Sequence, residues 1–269
     1  HRSPPGPFAG PPQFGWLFVV TIPCHVPVLL DEVLHWLAPQ PGQFIVDGTL
    51  GGGGHTRALA ERVGPAGTVL ALDRDPAAIA AAEQNLAGLP VKLAHASYAE
   101  LPEVLAELGQ PTVHGVLLDL GLSSDQLADD QRGFSFDADG PLDLRFDPTA
   151  GEPATRLVNR LKPDNLANLI FNYGEERYSR RIARAIDQAR KTAPIETARQ
   201  LAEIVRKVVP RPRPGERIDP ATRTFQALRI AVNGELQALE HILQKLPDCV
   251  AVGGRVAIIS FHSLEDRPV

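Results

Sequence analysis

Three polar segments of the sequence carry residue types that could bind a ligand or move a proton. The first begins at Asp47 and continues through five glycines to His55. A short apolar run precedes it and a helical pattern follows it, so we expect a strand, a loop and the start of a helix. Glycine lets the backbone approach a ligand closely, and the first turn of a helix offers free N–H groups to an anion. The segment therefore predicts a site for a nucleoside-type ligand.

A second acid, Asp73, ends the next predicted strand about 20 residues further on, where a carboxylate suits ribose hydroxyls. The glycines do not complete the dinucleotide pattern G-x-G-x-x-G, because a start at Gly51 puts Thr56 where the third glycine should be. Asp47 could instead hold the ammonium group of an amino-acid ligand such as S-adenosylmethionine (SAM). A glycine turn without a ligand is the alternative, and the backbone entropy that four consecutive glycines lose argues against it.

The other two segments also follow predicted strands. Asp119 ends a buried apolar strand, and Ser123, Ser124 and Gln126 come directly after it. His262 follows the last predicted strand and is a candidate base or phosphate ligand, although a lone histidine is more often a structural hydrogen-bonding group. Open α/β sheets bind ligands at the carboxyl ends of their strands, so we expect these groups beside the reacting atoms. The spacing of histidines and cysteines predicts no metal site.

Alternating strand and helix patterns must position these groups. Strands predicted at 44–47, 68–73, 91–94 and 113–120 are separated by helices, which indicates a parallel sheet covered by helices. From residue 121 to about 217 no buried strand is predicted, only helices near 163–172, 175–191 and 196–209. A helix at 222–246 and a strand at 255–261 follow. We therefore expect a disordered or non-native leader (1–21), an α/β core (22–125 and 218–269) and a helical insert (126–217).

Composition and charge narrow the class of protein further. With 43% hydrophobic and 22% charged residues the chain is not disordered throughout, and no apolar run is long enough to cross a membrane. The two cysteines indicate a reducing, cytoplasmic setting. Residues 151–236 hold 17 basic and 10 acidic residues, a net charge of +7, whereas the rest holds 10 and 22, a net charge of −12. This asymmetry is expected where one module binds a polyanion, and a solvated helix face is the alternative.

Six motifs occur in order between residues 25 and 267, and together they are far more specific than a glycine loop. They are His25-Val-Pro-Val-Leu-Leu-Asp-Glu, the Asp47 to His55 loop, the segment from Arg132 to Asp147, Tyr173-Gly-Glu-Glu-Arg177, the segment from Pro220 to Arg229, and the segment from Ser260 to Arg267. The set resembles the MraW family of small-subunit ribosomal RNA methyltransferases. The resemblance implies a class I SAM-dependent methyltransferase, with an α/β, Rossmann-like, doubly wound and mostly parallel sheet and an inserted helical domain.

The resemblance also implies the reaction and its partners. It implies methyl transfer from SAM to N4 of a cytidine in the decoding region of 16S ribosomal RNA. The substrate would be the RNA itself or the small ribosomal subunit, in the cytoplasm and away from membranes. A homodimer stays possible. The cofactor-binding positions that it implies are Gly53, Gly54, His55, Asp73, Tyr98, Asp119 and Gln126. Tyr98 stands where an aromatic residue, often phenylalanine, is usual, and either ring can stack on adenine.

Catalysis and RNA binding are less sharply indicated. We expect Asp119, Ser124 and His262 near the reacting amine and assign no base, because Asp119-Leu-Gly-Leu departs from the Asn/Asp-Pro-Pro-aromatic loop of many amino-methyltransferases. Each candidate RNA contact could equally be a structural ion pair. These candidates are Arg132, Arg145, Arg177, Arg223 and Arg229. Three alternatives stay open: a methyltransferase on another acceptor, a nucleotide-dependent oxidoreductase, and an inactive RNA-binding form, since the family's further C-terminal strands would follow Val269.

Overall fold

The computed structural model describes residues 27–136, 139–210 and 218–269, so the predicted leader and the proline-arginine linker at 211–215 lie outside the described residues. The first half alternates helices and strands as the sequence predicts. Its elements are α1 (Leu30–Leu37), β1 (Phe44–Asp47), α2 (Gly54–Val63), β2 (Thr68–Asp73), α3 (Pro76–Asn85), β3 (Val91–His95), α4 (Leu101–Glu107) and β4 (Val113–Asp119).

The second half is helical until its last strand. Its elements are α5 (Ser124–Ala128), α6 (Ala154–Arg160), α7 (Pro163–Gly174), α8 (Ser179–Thr192), α9 (Ala198–Val208), α10 (Thr222–Asn233), α11 (Glu235–Cys249), β5 (Val250–Ile259) and α12 (Ser263–Asp266). The prediction of one helix over 222–246 was wrong. Gly234 adopts a φ of 61°, which ends α10 and begins α11, and the left-handed backbone there favours glycine.

The five strands form one parallel sheet in the order β3-β2-β1-β4-β5. Residues in the middle of the central strands, such as Ile45, Leu70 and Leu117, are fully buried, because helices cover both faces. Strands β1, β2 and β4 each end in an aspartate. The parallel register therefore brings Asp47, Asp73 and Asp119 to one edge of the sheet, at the point where the strand order reverses between β1 and β4.

Separate apolar clusters cover the sheet and fill the helical part. Leu239 and Ile242 of α11 pack on one face of the sheet, and Leu59 of α2 packs on the other. Helices α6 to α9 enclose a cluster of their own, which also includes Phe225 and Leu228 of α10. The helical part therefore has its own core, and that core reaches past residue 217 into α10.

Two structural findings concern membranes and metals. In the described ranges, no helix is long and apolar enough to cross a membrane. Over the same residues, no cluster of three or more histidine, cysteine, aspartate or glutamate side chains is arranged to hold a metal ion.

Candidate active site

The glycine loop joins β1 to α2 and leaves the start of that helix uncapped. Gly53 is the N-cap residue with a φ of 79°, and no side chain caps the helix. The positive φ favours glycine at Gly53, and packing requires it at Gly54, where a Cβ would clash with Pro27. The loop thus lies tightly between its neighbours while the first-turn N–H groups of α2 have no side-chain acceptor.

Asp73 is tied to the glycine loop by hydrogen bonds to its carboxylate. The N–H of Gly51 donates to Oδ2 and the N–H of Asp75 donates to Oδ1, both at 2.8 Å. Each carboxylate oxygen can accept more than one hydrogen bond, so both keep capacity for hydroxyl donors. Burial raises the pKa of Asp73 above its usual value. The predicted ribose-binding carboxylate is therefore fixed in orientation and still able to accept.

The contacts of Asp47 count against the expectation that it could hold an ammonium group. Its side chain is fully buried. Oδ1 accepts from the N–H of Thr49 at 3.1 Å, and Oδ2 accepts from the hydroxyl of Thr56 at 2.7 Å. Burial raises the pKa of Asp47. Both oxygens serve to hold the glycine loop, a role that the acid's place at a strand end did not reveal.

Asp119 is the carboxylate left with an open acceptor. Its N–H donates to the Thr49 hydroxyl at 2.7 Å, and its Oδ2 lies 3.6 Å from Nδ1 of His55. Nε2 of His55 is 2.9 Å from the carbonyl oxygen of Val28, which can only accept, so this nitrogen carries the proton. Within the described part of the chain, the buried Oδ1 of Asp119 has no hydrogen-bond partner. Burial raises the pKa of Asp119 to about 6, against a lowering influence of His55.

Gln126 and the serines before it form the first turn of α5. The Ser123 hydroxyl accepts from the Gln126 N–H at 3.1 Å, and Gln126 Oε1 accepts in return from the Ser123 N–H at 3.2 Å. Ser124 is exposed at the first position of the helix. The Gln126 side chain also donates to Oδ2 of Asp75 at 3.3 Å. The amide oxygen and the amide nitrogen of Gln126 are thereby both hydrogen-bonded within the protein. The hydrogen bond to Asp75 fixes the position of the side chain.

Sequence reasoning missed Asp75. The side chain is buried and caps α3, where its Oδ1 accepts from the N–H of Ala77 at 3.0 Å. Its Oδ2 accepts from Gln126 and, at 2.9 Å, from Arg132. An aspartate directly before a proline at a helix start is a capping signal. The pattern could have shown the cap, but not the two distant partners.

Tyr98 lies in a short 3-10 turn (Tyr98–Glu100) beside the end of β1. A Cβ on Gly48 would come within 2.9 Å of Tyr98 Cβ, so the glycine permits this close approach. The hydroxyl donates weakly to the carbonyl of Glu235 at 3.5 Å, and burial raises the pKa of Tyr98. The half-buried Tyr98 thus lies beside Gly48 at the start of the glycine loop, and the resemblance implies an aromatic at this position.

His262 is engaged by its own helix. Nδ1 accepts from the Glu265 N–H at 3.3 Å, and Nε2 lies 3.2 Å from Glu265 Oε1. The Glu265 side chain is buried, and the Arg229 guanidinium lies 4.0 Å from the same oxygen. Nδ1 of His262 thus caps the helix, which favours a structural role, whereas the buried Nε2 makes no hydrogen bond within the described residues.

Three of the predicted RNA-binding arginines make internal contacts. Arg132 is buried, pairs with Asp75 and donates to the carbonyls of Arg145 and Phe146 at 2.9 and 2.7 Å. Arg145 is paired through two nitrogens with Asp143, and Arg229 is paired in the same way with Glu235. For these three residues the contacts favour the structural alternative.

The other two arginines are exposed. Arg223 donates to the carbonyl of Glu175 at 3.1 Å. Arg177, just before α8, makes no hydrogen bond or ion pair within the described ranges. Its side chain therefore remains available to an external anion.

The fold and the site together define a class of protein. A parallel sheet in the order 3-2-1-4-5, with a glycine loop after its central strand and an acid at the end of the next, belongs to nucleotide-binding enzymes of Rossmann type. The chain belongs to the MraW methylase family, whose sequence profile matches residues 23–269. The oxidoreductase alternative is thereby removed.

Curated relatives cover most of the chain. The ribosomal RNA small subunit methyltransferase H of Syntrophotalea carbinolica is 52% identical over 91% of this chain and 79% of that protein. The protein of the same name from Nitratidesulfovibrio vulgaris (strain Miyazaki F) is 53% identical over 91% of this chain and 69% of that protein. The one from Thermomicrobium roseum is 51% identical over 91% of this chain and 75% of that protein. Among solved structures, a SAM-dependent O-methyltransferase from Thermotoga maritima is 26% identical over 35% of each chain, with a TM-score of 0.30.

Proposed function

We propose that this chain transfers a methyl group from SAM to N4 of a cytidine in the decoding region of 16S ribosomal RNA. The observation that carries the proposal is Asp119: a carboxylate at the switch point of the sheet whose buried Oδ1 has no partner among the described residues. Such an oxygen is a candidate acceptor for a donor group of a ligand, since a buried acceptor without a partner costs about 1–3 kcal/mol. The names of the relatives indicate ribosomal RNA of the small subunit as the substrate.

The residues present suit SAM. Asp73 can accept from ribose hydroxyls, Tyr98 offers a ring beside the loop, and the uncapped start of α2 at Gly54 suits a carboxylate. When bound, SAM supplies a methyl group on a positively charged sulfur, which is a good leaving group. Holding such a ligand requires the backbone to come close, and the positive φ of Gly51 and Gly53 meets that need.

Asp119 can perform the part of the reaction that the substrate makes difficult. The exocyclic amine of cytosine is a poor nucleophile because its lone pair is delocalised into the ring. A carboxylate that accepts an N4 hydrogen bond concentrates electron density on the nitrogen and can then receive the proton that the amine must lose. A pKa of about 6 keeps Asp119 ionised at neutral pH and brings it close to the range in which proton acceptors work best.

The helical part presents a cationic surface suited to RNA phosphates. Helix α8 buries Ile182, Ala183 and Ile186, while its opposite face carries exposed arginines. These are Arg180, Arg181 and Arg184. Together with Arg177 they place four positive charges on one side of the insert. Phosphate contacts of this kind supply affinity without reading the sequence, and the cytidine itself must leave its stack to reach Asp119.

The test is methyl transfer from SAM to small ribosomal subunits that lack the modification, read by nucleoside mass spectrometry. We expect N4-methylcytidine with the wild-type chain and its loss with Asp119→Ala. Methylation of a different nucleoside, or of protein only, would contradict the proposal. Asp119→Asn separates two donors for Oδ1: weaker SAM binding at unchanged turnover would point to the ammonium group of SAM, and lower turnover at unchanged SAM binding would point to the cytosine amine.

A further inference from the structure

Phe261 is an aromatic residue held at the carboxyl edge of the sheet with most of its ring in solvent. It comes two residues after the end of β5, and 57% of its surface is exposed. A single exposed phenylalanine needs no explanation by itself. The backbone that carries this one, however, is fixed by buried charged groups, and the ring lies next to the segment that contains Asp119.

A buried carboxylate anchors the backbone of Phe261. Its N–H donates to Oε2 of Glu265 at 2.9 Å, and the Glu265 side chain is only 2% exposed. The other oxygen, Oε1, lies 3.2 Å from His262 and 4.0 Å from Arg229. Burial raises the pKa of Glu265, but the adjacent His262 and the hydrogen bond from the Phe261 N–H outweigh burial, and that pKa lies below its usual value. A buried charge is costly unless it is partnered, so this cluster holds residue 261 in one position.

The sheet brings the ring alongside the segment of Asp119. Asp119 is the register partner of Ile259, and the N–H of Leu120 donates to the carbonyl of Ile259 at 3.0 Å. Gly121 adopts a φ of 101°, and a Cβ built on it would lie 3.4 Å from Cδ2 of Phe261. The ring therefore flanks the backbone two residues beyond Asp119. A flat apolar surface and an open carboxylate occur on the same edge.

We propose that Phe261 is the surface on which the target base stacks, so that the exocyclic amine of the base is presented to Asp119. The inference rests on the proposed function and adds a substrate-positioning residue to it. Bases drawn out of an RNA strand commonly stack on aromatic side chains while polar groups read their edges. Tyr98 lies beside Gly48 at the end of β1, so Phe261 is a second, separate ring.

The experiment compares three variants with the wild type on small ribosomal subunits. Phe261→Tyr keeps an aromatic face, Phe261→Leu keeps apolar bulk without it, and Phe171→Leu is the control. Phe171 is 55% exposed on α7 and lies outside the site. Loss of base stacking costs about 1–3 kcal/mol, so we expect kcat/KM for the RNA to fall about 5- to 150-fold in Phe261→Leu. Phe261→Tyr and Phe171→Leu should stay within about threefold of wild type.

Two further readouts separate stacking from a structural role. The Kd for SAM and the thermal midpoint of Phe261→Leu should equal those of the wild type. The inference is overturned if Phe261→Leu methylates RNA as well as the wild type, if Phe261→Tyr fails to retain activity, or if SAM affinity or stability falls along with activity. If the wild type itself methylates no RNA, the proposed function fails first, and that outcome is distinct from all three.

Discussion

Replacing Arg132 by methionine tests whether this arginine stabilises the fold or binds RNA. The guanidinium is buried, lies 2.9 Å from Oδ2 of Asp75 and donates to two backbone carbonyls. Methionine keeps most of the apolar volume but leaves Asp75 buried without its cation. Removing one partner of a buried ion pair costs about 3–5 kcal/mol. Asp75 keeps the Ala77 N–H and Gln126 as donors, so we expect a value near the lower end.

Urea unfolding measures the loss directly. With a slope of about 2 to 3 kcal/mol per molar, the midpoint should fall by roughly 1 to 2 M. The matched control is Arg160→Met, because Arg160 is 61% exposed and its pairing with Glu152 is a surface contact worth less than about 1 kcal/mol. A double-mutant cycle with Asp75→Asn should show that the two losses are not additive, since each variant breaks the same pair.

RNA binding measured at several salt concentrations tests the alternative, in which Arg132 contacts an RNA phosphate. If Arg132 contacted a phosphate, its loss would reduce the slope of log K against log salt by about 0.7 to 1 and leave the unfolding midpoint unchanged. We expect Arg132→Met to keep the wild-type slope of log K against log salt under conditions in which the variant is folded. A reduced slope with wild-type stability would refute the structural assignment.

Three further predictions follow from single contacts. The pKa of Asp119 is raised from 3.8 to about 6, so its contribution to stability is present below pH 4 and is lost as the pH rises through 6. Between pH 4 and pH 7 the free energy of unfolding should therefore fall less in Asp119→Asn than in the wild type. The rate of wild-type methyl transfer should rise with pH, with a midpoint near pH 6, and a pH-independent rate would contradict this assignment. Asn233→Ala removes three hydrogen bonds to the backbone around Leu144, Phe146 and Arg229 and should cost about 3 kcal/mol in urea unfolding; a loss under about 1 kcal/mol would show that water replaces the amide. Gly48→Ala would bring a Cβ to 2.5 Å from Leu118 and 2.9 Å from Tyr98, so it should lower stability by about 1–3 kcal/mol and weaken SAM binding measured by calorimetry. Gly52→Ala, which meets only Asp125 at 3.4 Å, is the stability control, and equal midpoints for the two variants would count against this steric account.

The alternation of strands and helices, and with it the edge of the sheet that carries the site, could be predicted from the sequence. Buried parallel strands are short apolar runs, and each of the first two ends in an acid next to a turn or loop. The strand order then follows from the usual connections of such units. Local signals also predicted the glycine loop and the aspartates after it, because a helix start and a carboxylate at a strand end are properties of a few neighbouring residues.

The partners of the charged side chains could not be predicted, because they come from distant parts of the chain. Arg132 and Asp75 are 57 residues apart, and Arg223 and Glu175 are 48 apart. An arginine in a motif is recognisable from sequence as important, but whether its guanidinium meets a phosphate or a buried carboxylate depends on tertiary packing. The same limit explains Asp47, whose strand-end position suggested a ligand while its two threonine partners show a structural task.

Two charged motif residues of the helical part contact segments that follow strands of the sheet, and these contacts bear on the proposed RNA recognition. Arg132 reaches Asp75 beside the cofactor loop, and Glu175 accepts hydrogen bonds from Ser263 and Arg267 after β5. These contacts orient the helical part relative to Asp119, so they affect where a bound RNA presents its base. Arg180 and Arg184, which are exposed on α8, lie outside the motifs, whereas Arg177 is an exposed motif residue with no partner among the described residues. Charge reversal on α8 should therefore weaken RNA binding at unchanged stability. Removing the Arg132 or Glu175 contacts should instead lower turnover even when RNA is saturating.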